Sequence, residues 1–128
     1  MSRLKEYVVN VRSLAELDLD LVIDEAAIIV EESLLDVKTH QIRRFYNVVK
    51  NLKGSLKNSG KRPLTGIEKA KLLMLRPQLA NASAKQYRLK NLSELIALMI
   101  KKIHDTNDFE LFANFFESIV AFHKAKVG

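Results

Sequence analysis

The chain has 128 residues, of which 48% are hydrophobic, with two prolines and no cysteine. This length and composition are typical of a folded domain and exclude a wholly disordered protein. The lack of cysteine excludes disulfides, zinc–thiolate sites and cysteine nucleophiles, and it favours a reducing cytoplasm. The first twenty residues lack the apolar run of a signal peptide, and the most apolar stretch, at 21–32, is too short and too acidic to span a bilayer. We therefore expect a soluble cytoplasmic protein with no membrane partner.

The net charge of +6 is distributed very unevenly along the chain. Residues 1–37 contain three bases and nine acids, residues 38–90 contain fourteen bases and one acid, and residues 91–128 contain four bases and five acids. An excess of thirteen positive charges in the central segment repels itself, and such an excess usually reflects a polyanionic partner. The alternative is a solvated face that keeps the protein soluble. We favour nucleic acid as the ligand.

The apolar residues recur at helical spacing, and only residues 7–11 alternate like a strand. Six helices are predicted, at about 13 or 20 to 35, 39 to 57, 65 to 77, 77 to 89, 93 to 104 and 109 to 126. Thr39 and Asp108 are favourable N-caps, Thr65 and Glu68 form a capping box, and Pro77 ends or kinks the third helix. We predict one all-α domain over 1–128, a compact bundle of about five to six helices, with 1–12 loosely ordered.

The last predicted helix is apolar on more than one side. Phe109, Phe112 and Phe116 form one stripe, and Phe115 and Phe122 form another. Such a helix is either central in the core or covered by a second chain. We favour the core, and self-association through the second stripe stays open.

Residues suited to catalysis are few. His40, His104 and His123 are far apart in sequence and fit no metal-binding motif, and the chain contains no phosphate-binding glycine loop and no nucleophile elbow. The acids of the first helix could form a metal cluster, but a solvated face or a docking patch is the more common use of such residues. We predict a non-enzymatic protein without catalytic residues, metal site or cofactor.

The second predicted helix, residues 39–57, has five Lys or Arg side chains and no carboxylate. Arg43, Lys50 and Lys57 are seven residues apart and form a ridge about 21 Å long, which can reach several consecutive phosphates. Stacking aromatics and a helix-turn-helix pair are not evident, which favours backbone contact without sequence recognition. The residues that we predict to bind the nucleic-acid backbone are Arg43, Arg44, Lys50, Lys53, Lys57, Lys61, Arg62, Lys85 and Arg88.

Three segments resemble a known family. They are Gln41-Ile42-Arg43 directly after Thr39, Leu75-Arg76-Pro77-Gln78-Leu79-Ala80 in the middle of the chain, and the segment from Glu117 to Lys124 near the end. Together, over roughly residues 20–125, they are similar to the small subunit of type III-A CRISPR effector complexes, the Csm complex.

The resemblance implies a small all-helical subunit without catalysis of its own. Several copies would lie along the guide RNA–target RNA duplex, next to a filament of the backbone subunit and the large multidomain subunit. Arg43 and Lys85 would contact RNA. Lys85 stands where the family more often has Arg, and because lysine lacks the bidentate fork of arginine, that contact is expected to be weaker or to move to Arg88.

A second hypothesis belongs to another class. The chain would be a protein–protein adaptor whose basic face docks an acidic protein and whose Phe-rich last helix pairs with itself. In that case Phe115→Ala or Phe122→Ala would dissociate the oligomer, and charge reversal in the second helix would leave RNA binding unaffected.

Overall fold

The computed structural model describes all 128 residues and contains no β-strand, which confirms the all-α prediction. Its seven α-helices are α1 (Leu4–Val9), α2 (Leu19–Ile29), α3 (Thr39–Ser55), α4 (Gly66–Leu73), α5 (Leu75–Lys85), α6 (Lys90–Ile100) and α7 (Thr106–Val127). Two 3₁₀ turns, Leu14–Glu16 and Tyr87–Leu89, and one π-helical turn, Val30–Leu34, lie between them. None of the seven helices combines the length and the apolar character that a membrane span needs.

Helix α7 lies at the centre of the bundle and packs mainly against α2 and α3. Phe112, Phe115 and Phe116 are each at most 1% exposed, because both stripes of the helix are covered by the chain's own core. The core position that we favoured for this helix is therefore the one observed. Truncation of a phenylalanine at such a site costs about 3–5 kcal/mol, so α7 is a major source of stability.

The start of α7 differs from the prediction by three residues. Asp105, not Asp108, is the N-cap, and its side chain accepts a hydrogen bond from the backbone N–H of Asp108. Asp108 is 1% exposed, and its carboxylate accepts from the backbone N–H groups of Ala15, His104 and Asp105. Asp108 therefore completes the capping box of α7 from its third residue and also fixes the 3₁₀ turn Leu14–Glu16 to the core.

The boundary near Pro77 also lies earlier than predicted. Helix α4 ends at Leu73, and Pro77 is the third residue of α5. The first residues of a helix have no intrahelical partner for their N–H groups, so proline is tolerated there. In an uninterrupted helix the proline ring would clash with the carbonyl group of Leu73, four residues earlier, which explains why the chain breaks between α4 and α5.

The N-terminal segment forms helix α1, and the alternating residues 7–11 do not form a strand. Residues 1–12 were expected to be loosely ordered, whereas the structure buries Leu4 and Val8 of α1 completely. The carboxylate of Glu25 accepts hydrogen bonds from Ser2 Oγ and from the backbone N–H of Arg3, at the N-terminus of α1. This buried acid supplies the partners that the first turn of a helix lacks.

His123 joins the end of α7 to the segment between α2 and α3. Its Nε2 atom lies 2.7 Å from the carbonyl oxygen of Val37 and 3.0 Å from that of Leu34, and the residue is 1% exposed. Because both neighbours are acceptors, Nε2 holds the proton and donates it. His123 therefore donates to two carbonyl groups at the end of the π-helical turn, and it is buried.

Candidate functional site

Helix α3 has one buried and one basic side. Ile42, Phe45, Val49 and Leu52 are buried, and the Arg43, Arg44, Lys50 and Lys53 side chains are exposed. The 17 residues of α3 span about 25 Å. α3 runs antiparallel to α7, since Thr39 Oγ1 at its start donates to the carbonyl oxygen of Gly128 and Lys53 near its end pairs with Glu117. The exposed bases of α3 therefore lie along about 15 Å of the helix, from Arg43 to Lys53.

A groove of about 640 Å³ lies between the C-terminal end of α3 and the N-terminal end of α7. Four lysines line it, together with one acid, Glu110, and all five of these residues are exposed. The lysines are Lys50, Lys53, Lys57 and Lys61. Leu56 and Phe109 form its apolar floor. The structure therefore concentrates four of the nine predicted site residues around one concave surface with an excess of positive charge.

The loop at 57–63 closes one side of the groove and has a fixed conformation. Thr106 Oγ1 donates to the carbonyl oxygen of Gly60 at 2.8 Å and accepts from the backbone N–H of Arg62 at 3.2 Å, and the backbone N–H of Thr106 donates to the carbonyl oxygen of Arg62. Asn58 and Gly60 both have a φ of 68°, the left-handed conformation that glycine, and next asparagine, adopts at lowest cost. These two residues turn the chain so that Lys57 and Lys61 lie on the same groove.

Arg62 differs from the other predicted RNA-binding residues because it has an internal partner. Its guanidinium group forms two hydrogen bonds of 2.8 Å to the carboxylate of Glu68, in the bidentate geometry that is strongest for this pair. The guanidinium group holds the pKa of the Glu68 carboxyl at about 2, and the backbone N–H of Thr65 also lowers it. The pair fixes the loop to the start of α4, so the charge of Arg62 is largely neutralised.

Lys85 and Arg88 lie at the opposite end of α3 from the groove. Arg88 is 3.4 Å from the carboxylate of Asp36, three residues before α3 begins, and its guanidinium group lies 5.1 Å from the centre of the Tyr87 ring. Lys85 is exposed at the end of α5. The predicted site residues thus form two groups, with Arg43 and Arg44 on the helix between them.

Most bases of the central segment have no carboxylate partner. Among the fourteen bases of residues 38–90, ion pairs within 4.0 Å involve Lys53, Arg62 and Arg88. The N-terminal acids lie mainly on and after α2, where Glu31 pairs with Lys126 and Glu32 pairs with the terminal amino group. The positive charge of the central segment is therefore not cancelled by the acidic N-terminal segment. No group of three or more His, Asp or Glu residues is placed to hold a metal ion.

The far wall of the groove was not predictable from the sequence. Asn107 and Glu110 on α7 and Asn58 and Ser59 in the loop line it beside the lysines. Asn107 and Glu110 are about fifty residues from the lysines in sequence, and no motif relates the two segments. Only the antiparallel packing of α3 and α7 brings them together.

The aromatic side chains required by the adaptor hypothesis lie inside the bundle. Phe115 is fully buried, and Phe122 is partly buried against the core. Replacement of Phe115 would therefore disturb the fold before it changed any contact between chains.

Comparison with known proteins gives one positive result. The profile of the family described as Csm2 Type III-A matches residues 16–128, which is nearly the whole chain and includes α2 to α7. Among curated proteins and among solved structures, no significant match is found. The family match agrees with the all-helical fold and with the three segments that resemble the small subunit of this complex. The chain belongs to the Csm2 family of type III-A CRISPR systems and is a structural small subunit of the Csm effector complex, which it forms together with the other Csm subunits.

Proposed function

We propose that this subunit has no catalytic activity of its own and binds the backbone of the guide or target RNA through the basic side of α3 and the groove at its end. The main support is the uncompensated charge. Arg43, Lys50, Lys57 and Lys61 are exposed, and no carboxylate lies within ion-pair distance of them. Unpaired surface bases in this number are a cost to a free protein and an advantage to one that neutralises phosphates.

The spacing of these bases suits a nucleic-acid strand. Along α3, Arg43 and Lys50 are about 10 Å apart at 1.5 Å per residue, and Lys57 and Lys61 continue the series at the groove. Arginine can hold a phosphate with two donors, and lysine adds a mobile point charge. Such contacts position the strand without selecting its sequence, which suits a subunit that must accept any guide.

The nine predicted residues are expected to contribute unequally. Lys50, Lys57 and Lys61 contribute most because they are unpaired and converge on one surface. Lys53 and Arg88 contribute less because each already pairs with an acid: Lys53 with Glu117, and Arg88 with Asp36.

Arg62 contributes least because both ends of its guanidinium group donate to Glu68. Lys85, which is exposed and unpaired, contributes at the far end of α3, and Arg44 lies on the flank of the ridge.

Contacts with the backbone subunit, the large multidomain subunit and neighbouring copies would use a different surface. Ile67 and Met74 are 74% and 54% exposed, seven residues apart on α4 and directly after it. Large apolar side chains exposed in one region are typical of protein–protein interfaces. These residues suit subunit contact better than the buried phenylalanines of α7.

The test is RNA binding at two salt concentrations. With about four phosphates neutralised and a slope near −0.7 per phosphate on single strands, affinity should fall about 50-fold between about 50 and about 200 mM salt, equally for unrelated sequences. Arg43→Glu and Lys50→Glu should weaken binding to all sequences alike and leave the circular dichroism spectrum unchanged. Lys101→Glu, an equal charge change outside the central segment, is the matched control. Salt-independent binding, or equal affinities for all three variants and the wild type, would contradict the proposal.

A further inference from the structure

The groove between α3 and α7 has a feature that backbone binding alone does not require. Besides the four lysines of its rim, it has a floor formed by Leu56 and Phe109, which are 9% and 2% exposed. The methylene stems of the lysines add apolar surface above the charged ends. A phosphate gains nothing from an apolar floor, whereas a nucleobase does.

The size of the groove also fits a nucleotide. Its volume of about 640 Å³ lies within the range of about 300–1,000 Å³ that is typical of small-ligand sites. Bases inside an RNA duplex are paired and stacked, and specific recognition of RNA bases therefore uses unpaired nucleotides that can turn outward. A paired strand could reach the lysines of the rim, but only an unpaired nucleotide could bring its base to the floor.

Polar side chains around the groove can meet the edge of a base. Asn58, Ser59, Asn107 and Glu110 line it. Amides and hydroxyl groups both donate and accept hydrogen bonds, and a carboxylate accepts from an exocyclic amino group. Lys53 is the one lysine of the groove that forms an ion pair, and its partner is Glu117. The carboxylate of Glu110 therefore has no ion pair and can accept a hydrogen bond from a ligand. The groove therefore offers an acceptor and several donors beside its positive rim.

We propose that this groove binds a single unpaired nucleotide of the RNA strand held along α3. Lys57 and Lys61 bind its phosphate, Lys50 binds the neighbouring phosphate of the strand, and its base packs against Leu56 and Phe109. This inference rests on the proposed RNA-binding function, and it adds a site that discriminates unpaired from paired RNA.

The experiment uses a short single-stranded RNA with one 2-aminopurine, a fluorescent base whose emission changes when it leaves the stack, and the same RNA in a complete duplex. Gly54→Leu blocks the groove without changing the charge. Gly54 lines it, and no atom lies within 4 Å of the position that a Cβ would take. Asn51→Leu is the matched control, because Asn51 is exposed on the same helix and does not line the groove.

We expect the emission of the single strand to change on binding to the wild type and to Asn51→Leu, and to stay constant with Gly54→Leu. Gly54→Leu should also weaken single-strand affinity about tenfold and duplex affinity no more than about twofold. An equal emission change in all three proteins, or none in any of them while RNA still binds, would overturn the nucleotide site and leave the proposed function standing. Absence of RNA binding would overturn both.

A titration with 2-aminopurine riboside monophosphate distinguishes a strand from a free nucleotide. The monophosphate should bind at least about 100-fold more weakly than the RNA, because it lacks the neighbouring phosphates that contact α3. Equal affinity for the monophosphate and the RNA would overturn the proposal that the groove serves a bound strand.

Discussion

The acidic N-terminal segment and the basic central segment use their charges in different ways. Of the nine acids in residues 1–37, six accept hydrogen bonds or form ion pairs, whereas three of the fourteen bases in residues 38–90 form ion pairs. The partnered acids are Glu6, Glu16, Glu25, Glu31, Glu32 and Asp36. The acids hold the chain together, and most of the bases remain available to a partner outside it.

The largest expected effect is a loss of RNA affinity when the charge of two unpaired bases is reversed. The double variant Lys50→Glu/Lys57→Glu should lose at least about 30-fold in RNA affinity at about 100 mM salt, because two phosphate contacts become repulsive. The salt slope should become shallower by about 1.4. Filter binding at several salt concentrations measures both quantities. If the double variant bound RNA like the wild type, the contrast between the two segments would have no functional meaning.

Removal of an acid that has a partner inside the chain should lower the stability of the fold and leave RNA affinity unchanged. Glu25→Ala should lower the free energy of unfolding by about 1–2 kcal/mol, because two donors at the N-terminus of α1 lose their acceptor. Chemical denaturation measures this loss, and RNA affinity should not change. Asp24→Ala removes an exposed neighbouring acid and should stay within about 0.5 kcal/mol of the wild type. Equal stabilities of the two variants would contradict the role assigned to Glu25.

The bases of the groove depend on backbone conformation for their position. Gly60→Ala should destabilise the protein by about 1 kcal/mol, because alanine is strained at the φ of 68° that the loop requires. The opposite change, Asn58→Gly, should stabilise the protein by about 0.3 kcal/mol, because glycine adopts the same conformation without strain. Thermal unfolding measures both. A loss of stability in Asn58→Gly would show that the asparagine side chain has another role.

The last expected effect depends on pH and concerns the single acid of the basic segment. The pKa of Glu68 is about 2 in the folded protein, below its ordinary value of 4.5, so its pairing stabilises the fold above about pH 4.5 and ceases to do so as the pH falls through about 2. The stability difference between wild type and Glu68→Gln should therefore be greatest near neutral pH and vanish towards pH 2. Denaturation series at several pH values test this. A constant difference across that range would show that the ion pair is not its cause.

Much of the fold could be predicted from the sequence because helical spacing and capping residues are local signals. The extent of α3 was predicted to within two residues, and the capping box of Thr65 and Glu68 was placed correctly. The errors fall where two residues compete for one role, such as Asp105 and Asp108, or where a distant partner decides, as Glu25 does for α1. The exposure of the predicted bases also followed from charge and spacing, but the groove did not, because four of its thirteen lining residues come from α7.

The central position of α7 has a consequence for biosynthesis. The helix that fills the core, α7, follows the other six in the chain. During synthesis the apolar sides of α2 and α3 therefore remain exposed to solvent until residues 109–119 have left the ribosome. At about 5–20 residues per second this delay lasts some seconds, during which nascent chains can aggregate or recruit chaperones. Final closure of the bundle therefore has to follow the synthesis of α7.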